Sequence, residues 1–321
     1  MTNLTFGPLS YGAASLGNLY RALSDEEAEE TLSAAWDCGV RHFDTAPHYG
    51  LGLSERRLGA FLAGKPRDEF TISTKAGRLL VPNPDADAVA AGATDLAHDF
   101  DVPAAVVRSP DFTESGIRRS LEESLGRLGL DFVDVLYLHD PERYGLEESL
   151  ATGLPAVVAL REEGLVSAVG IGSMSVEALL RGVTEGDLDL IMVAGRYTLL
   201  EQPALPELLP ACLERGVGVV NAAVFNTGLL AASVVAEDAR YEYGPVPPAL
   251  LERARMLAAT CAEFGVELPA AALRYTLRHP AVRTVVVGGG RAQYIRQNAE
   301  RMATAIPDEL WQTLRERGLI P

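Results

Sequence analysis

The chain reads as a single (β/α)8 TIM barrel with long loops at the C-terminal face of its strands. Three observations predict it. Eight short apolar, β-branched runs alternate with amphipathic stretches, the pattern of parallel strands joined by helical crossovers. Polar residues close three of those runs, Asp44, Lys75 and His139, at the barrel end where such folds keep their chemistry. The length, 321 residues, suits one barrel of roughly 250 residues plus loop insertions.

The expected strands are 9–13, 40–44, 70–75, 133–139, 166–171, 188–194, 217–221 and 284–287. The expected helices are 25–37, 54–63, 113–128, 145–163, 175–183, 205–215, 249–264 and 291–302, with a last one after Pro307, whose ring suits a helix start. Ser24 before Asp25, Glu26 and Glu27 reads as a cap with early acids, and Ser54 before Glu55 reads the same way. Gly39, Gly164 and Gly216 stand where helices end before strands. No linker interrupts the pattern, so one domain is expected over 1–321.

Two segments break the rhythm. Residues 78–112 lie in a 37-residue gap between Lys75 and Thr113 that is rich in Pro, Ala, Asp and Gly. Loops that long inside compact domains are functional or disordered, and this one leaves directly from Lys75, so it is expected to wall the ligand side. A second excursion, 225–248, follows the seventh strand on the same face.

Composition excludes several classes. With 28 basic and 44 acidic residues the net charge is −16, which repels nucleic acid and offers it no phosphate track. No apolar run reaches the roughly 18 residues of a membrane span, and MTNLTFGPLS shows no secretory signal. The three cysteines, Cys38, Cys212 and Cys261, form no CxxC pair, which favours reduced thiols in a cytoplasm. The five histidines show neither an i,i+4 pair nor an HxH motif, so no metal is expected.

Two groups of residues carry chemistry. Gly288, Gly289, Gly290 and Arg291 run from a strand into a helix. Glycines admit a phosphate to the backbone, and a helix N-terminus supplies free N–H groups; the alternative is a plain flexible turn. Asp44, Tyr49, Lys75 and His139 gather at one mouth if their strands are staves of one barrel. Taken singly, such residues are more often a helix cap, turn packing, a rim charge and a core histidine.

The segments HFDTAPHYG (42–50), ISTKAG (72–77), YLHDPE (137–142) and AVGIGSM (168–174) resemble the aldo-keto reductase family, in the right order and over nearly the whole chain. The resemblance implies a catalytic tetrad of Asp44, Tyr49, Lys75 and His139. A phenol has a reference pKa near 10. A Lys75 ammonium held by Asp44 is expected to lower it, so that Tyr49 exchanges the proton while His139 orients the reacting oxygen. A nicotinamide cofactor is implied, with Ser173 at its carboxamide, Gly288, Gly289, Gly290 and Arg291 at its phosphates, and Gln297 and Asn298 at its adenosine. Two cations that grip a 2′-phosphate in NADP-dependent members are replaced by Gly288 and Tyr294, so NAD is the expected preference; Arg291 and Arg296 leave NADP open. Met174, Ala194 and Ala222 depart from the usual nicotinamide pocket.

AGRYTLLEQ (194–202), NAAVFNTGLLA (221–231) and HDPE (139–142) resemble the branch of sugar 1-dehydrogenases acting on L-fucose, D-threo-aldoses and L-galactose, with a pyridoxal 4-dehydrogenase nearby. The expected reaction is oxidation of a cyclic aldose to a lactone. His48, His139 and Phe225 are the expected substrate contacts; Phe225, Tyr241 and Tyr243 either stack on a ligand ring or pack their own loop. The alternatives are an NADPH-dependent aldehyde or ketone reductase, and a cofactor-binding subunit, which the complete tetrad argues against. The expected partners are a sugar or aldehyde, with no nucleic acid or membrane, in a monomer or small homo-oligomer.

Overall fold

Eight parallel strands close on themselves in sequence order, each hydrogen-bonded to the next and the last to the first. The computed structural model describes residues 4–242 and 244–321. The strands are β1 (Leu9–Gly12), β2 (His42–Asp44), β3 (Thr71–Ala76), β4 (Val133–His139), β5 (Val166–Ser173), β6 (Leu190–Ala194), β7 (Gly218–Ala222) and β8 (Val282–Gly288). The outer helices are α1 (Asp25–Asp37), α2 (Leu53–Leu62), α3 (Glu114–Leu128), α4 (Leu146–Glu162), α5 (Val176–Glu185), α6 (Leu208–Arg215), α7 (Pro248–Glu263), α8 (Leu268–Thr276), α9 (Ala292–Ala303) and α10 (Asp308–Glu316). Closure leaves the barrel no open strand edge to protect.

The strands are buried on both faces, which is why they read as continuous apolar runs. Outward residues such as Ile72, Leu136, Leu138, Val169, Ile171 and Ile191 pack with Leu32, Leu121, Val157 and Leu179 of the helices. Inside, Val135, Tyr137, Ala168, Leu190, Met192, Val220 and Val286 form a separate cluster. Leu4 and Phe6 pack against that cluster from before β1. The other side of the interior is polar: Ser10, His42, Asp44, Ser73 and Lys75 are all buried there.

Two features differ from the sequence reading. Residues 268–276, to which it assigns no element, form α8. Gly265, at φ 66°, follows α7, and Pro269 sits in the first turn of α8; the helix is buried nearly all round and so carries no polar face to reveal its period. Ser54 caps nothing. The Ncap of α2 is Gly52, and Ser54 is buried, donating to the Ala13 carbonyl at 2.7 Å. Glu55 is equally buried, accepting from Thr74 at 2.9 Å and Arg127 at 2.5 Å. Ser24, by contrast, makes a full capping box with Glu27.

The excursion at 78–112 is folded. Arg78–Pro82 pairs antiparallel with Val106–Pro110, and a short helix, Ala86–Ala90, lies between them. Its Phe100 and Val102 cluster with Leu51 and Tyr49 at the mouth of the barrel. The second excursion carries a two-residue ribbon, Arg240–Tyr241 with Gly244–Pro245. Tyr241 gives its hydroxyl proton to Glu201, and Glu242 pairs with Arg196, so this loop is tied to the segment after β6. Tyr243 lies outside the described residues.

Gly170 faces the interior, where a Cβ would meet the Leu190 carbonyl oxygen at 2.0 Å. Backbone cannot yield as a side chain does. Gly170→Ala is expected to lower stability by ~1–3 kcal/mol, measured by chemical denaturation.

Candidate active site

Adjacent strands set the centre of the site. Asp44 ends β2 and Lys75 lies near the end of β3, on the same interior side. Lys75 Nζ donates to Asp44 Oδ2 at 2.6 Å, to the Thr45 carbonyl at 2.9 Å and to Tyr49 Oη at 3.1 Å. Ser73 Oγ donates to the other carboxylate oxygen, Oδ1, at 2.8 Å. Tyr49 comes from the loop after β2, which lies hard against the segment after β1. A Cβ on Gly50, whose φ is 60°, would meet the Gly17 carbonyl oxygen at 2.2 Å, so glycine is required for that approach. His139, at the end of β4, places its ring 6.0 Å from that of Tyr49 and 5.5 Å from that of His48.

All four tetrad candidates line one cavity of about 220 Å³, with Gly12, Ala14, Asp140, Gly172, Ser173, Met192, Ala194, Ala222, Ala223, Val286 and Gly288. Asp140 is a member the sequence reading did not single out. It adopts the left-handed region, φ 44° and ψ 59°, and its carboxylate receives Arg78 at 2.5 Å. Its place in YLHDPE was visible; its backbone was not.

Burial dominates the electrostatics. It pushes the Tyr49 phenol above its ordinary pKa; Lys75 opposes this and Asp44 adds to it. The depression expected from Lys75 alone is therefore outweighed, because the phenol sits in a dry site that disfavours phenolate. Burial also works against charge on Lys75, but the Asp44 carboxylate and then Tyr49 outweigh it and raise the ammonium pKa. Burial raises Asp44, against Lys75 and Ser73. His139 is held far below its usual range by burial and then by Arg78 and Lys75. Its imidazole is neutral and free to share one proton.

His48 has an unforeseen keeper. Arg108, on the inserted hairpin, grips Asp95 with two donors at 2.7 and 2.6 Å, the His48 carbonyl at 2.8 Å, and His48 Nδ1. An arginine only donates, so Nδ1 is bare and the proton of this neutral ring sits on Nε2. Burial and then Arg108 push the His48 pKa down to about 2. Phe100 covers the ring edge-on at 5.4 Å. No sequence signal pairs residues 48 and 108; the folding of the insertion does.

The triglycine turn lies beside the cavity. Gly288, Gly289 and Gly290 lead into α9, whose Ncap residue Arg291 makes no side-chain cap hydrogen bond, so the first backbone N–H groups lack a side-chain cap. Tyr11 donates to the Gly289 carbonyl at 2.9 Å and ties the turn to β1. A second cavity, about 270 Å³, shares Ala223, Val286 and Gly288 with the first and is lined further by Leu19, Tyr20 and Phe225. Phe225 thus stands in this neighbouring cavity and does not line that of the tetrad. Asn298 is buried, while Arg291 and Gln297 are exposed. Ser173 donates to Glu142 Oε1 at 2.7 Å and accepts from the Ser175 N–H at 2.8 Å; Glu142 Oε2 is buried with no hydrogen-bond partner among the described residues.

The aldo/keto reductase family model matches residues 8–317. The chain belongs to that family. This aldo/keto reductase is 58% identical over 318 residues to a D-threo-aldose 1-dehydrogenase of a Pseudomonas species, covering 99% of this chain and 96% of the relative. It is 36% identical over 343 residues to pyridoxal 4-dehydrogenase of Microbacterium luteolum, covering 99% and 96%. Among solved structures, the holo form of an aldo-keto reductase from Bacillus halodurans superposes with a TM-score of 0.78 at 23% identity, covering 100% of this chain and 94% of that one. That likeness shows the barrel.

Removing one partner of the buried pair leaves an uncompensated charge. Lys75→Met is expected to destabilise by ~3–5 kcal/mol. The double variant Lys75→Met/Asp44→Asn should recover part of that loss, as read by chemical denaturation.

Proposed function

We propose that this aldo/keto reductase oxidises a cyclic aldose at C1 to a lactone, with NAD as the hydride acceptor. The observation that carries the reading is the 58% identity, over nearly the whole chain, to a D-threo-aldose 1-dehydrogenase. The geometry supports it: a phenol, an ammonium and a neutral imidazole face one cavity.

The residues fit a nicotinamide dinucleotide. Two adjoining cavities share Gly288, and the run from that glycine leads to an uncapped helix N-terminus, which suits a pyrophosphate. Ser173, which lines the first cavity and is held by Glu142 Oε1, would meet the nicotinamide carboxamide. Gly288, Gly289, Gly290 and Arg291 would hold the phosphates; Gln297 and Asn298 would hold the adenosine. When bound, the nicotinamide supplies the hydride acceptor.

The chain supplies the rest. Tyr49 Oη, once deprotonated, takes the anomeric O–H proton. Lys75, 3.1 Å away, carries the charge that stabilises the phenolate. The neutral His139 orients the anomeric oxygen. Asp140, which lines the cavity, would accept from a ring hydroxyl through its carboxylate. His48 does not line that cavity, and its neutral ring stands 5.5 Å from that of His139, where it would offer Nε2–H to a ligand's periphery. The exposed Tyr294 and the side-chain-free Gly288 leave no cation at the positions that would grip a 2′-phosphate, although Arg291 and Arg296 are near in sequence.

Because Tyr49 must be unprotonated and burial lifts its pKa, NAD reduction by an aldose should climb by ~tenfold per pH unit through neutrality. No histidine step should appear near pH 6.5, since His48 and His139 stay neutral. Tyr49→Phe should leave NAD binding unchanged and lower turnover by about 10²–10⁴-fold, followed by absorbance at 340 nm across L-fucose, D-arabinose, L-galactose and L-xylose. Wild-type-like turnover in that variant removes Tyr49 from proton transfer; silence of the wild-type protein on every aldose overturns the substrate class. Gly288→Lys with Tyr294→Arg should move the preference toward NADP by restoring charge-assisted contacts, read as the ratio of kcat/KM for the two cofactors.

A further inference from the structure

One buried titratable side chain has no place in the chemistry above. His42 precedes Asp44 by two residues on β2 and lies inside the barrel, with Phe6 edge-on to its ring at 4.9 Å. Both of its nitrogens have partners. Nδ1 is 2.9 Å from Ser10 Oγ, and Nε2 is 3.1 Å from Ser73 Oγ. Ser10 Oγ is in turn 2.7 Å from Thr284 Oγ1 on β8.

The proton positions follow by elimination. Ser73 has one hydroxyl proton and gives it to Asp44 Oδ1, since an ionised carboxylate only accepts. Ser73 must then accept from His42, so Nε2 carries the imidazole proton. Burial and then Lys75 push the His42 pKa down to about 3, so the ring is neutral and Nδ1 is bare. Nδ1 accepts from Ser10, and Ser10 accepts from Thr284. The hydrogens along Thr284, Ser10, His42 and Ser73 all point toward Asp44.

We propose that His42 is a positioning residue for proton transfer: through Ser73 it holds Asp44 ionised and aimed at Lys75, and so sets how readily Tyr49 gives up its proton. The physical basis is twofold. A hydrogen bond to the charged form of a carboxylate favours that form, and hydrogen bonds in a row polarise one another in a low-dielectric interior. Ser73 is the protein donor to Oδ1, as Lys75 is to Oδ2. Without His42, the Ser73 hydroxyl is free to turn away from Asp44. A less firmly ionised Asp44 holds the Lys75 charge less well; since Lys75 lowers the Tyr49 pKa by more than Asp44 raises it, the phenolate loses more support than it gains.

The surrounding charges are fixed in number. Lys75, Asp44, Asp140, His139 and His48 face Tyr49; Lys75 and Tyr137 face Asp44; Lys75 faces His42. Substituting His42 or Ser73 leaves all of these other groups in place.

The inference rests on the aldose reading only for its choice of substrate. The test measures kcat and the KM for the aldose against pH in the 321-residue chain with saturating NAD, for His42→Leu, His42→Gln, Ser73→Ala and Ser73→Thr, with thermal unfolding recorded for each. His42→Leu and Ser73→Ala are expected to move the rising limb of kcat/KM up by about one pH unit, through kcat, with KM for the aldose within about twofold. His42→Gln, which keeps an N–H near the Nε2 position, and Ser73→Thr should restore most of the limb. An unmoved limb in His42→Leu and Ser73→Ala, whatever their melting temperatures, overturns the proposal; if His42→Leu does not fold, Ser73→Ala decides by the same criterion. If the wild-type protein oxidises no aldose, the substrate reading has failed by itself. The limb is then read in the reduction of a simple aldehyde, where the falling limb should move up by the same amount.

Discussion

The site depends on one contact, the 2.6 Å ion pair between Asp44 and Lys75. Both groups are almost fully buried, and desolvating two such charges costs about as much as their attraction returns. The pair is therefore poor evidence for stability. Its value is local: it keeps an ammonium in a place that would otherwise expel one, and that ammonium touches the Tyr49 phenol. The strand order makes this economical. Asp44 and Lys75 come from neighbouring staves, and Tyr49 needs only a five-residue step beyond Asp44, pressed home by Gly17 and Gly50.

A charged pair in a barrel interior needs polar company, and the interior is divided accordingly. Val135, Tyr137, Ala168, Leu190, Met192, Val220 and Val286 fill one side. Ser10, His42, Ser73 and Thr284 occupy the other and are bonded to one another without a gap. Buried polar groups of this kind are costly unless every member is satisfied. Here the hydroxyl and imidazole groups meet that condition mutually, and the sum of their dipoles is directed at the carboxylate.

The barrel and the meeting of Asp44, Lys75 and His139 at one cavity were legible in the sequence because both follow from position along strands. A polar residue at the end of a β-branched run must emerge at the C-terminal mouth, whatever the details of packing. What was not legible depends on contacts between distant parts. Ser54 looked like a cap because its neighbours in sequence suit one; its hydroxyl is instead claimed by Ala13. The direction of the Tyr49 shift could not be read from Lys75, because burial is set by Phe100 and the other residues folded over the ring. Asp140 stood in a quoted motif, but its place at the cavity follows from a left-handed backbone and from Arg78, 62 positions away. The helix Leu268–Thr276 escaped notice because a helix buried on most sides shows little polar periodicity.

The grip of Arg108 on His48 has a further consequence. Arg108, Asp95 and Phe100 all belong to the same excursion between Arg78–Pro82 and Val106–Pro110, whereas Asp44, Lys75 and His139 belong to the staves. The groups that hold His48 and the groups that meet at the cavity are thus carried by separable stretches of polypeptide. Exchange of the excursion between homologues would replace the surroundings of His48 as one heritable cassette, while Asp44, Lys75 and His139 passed unaltered from parent to descendant.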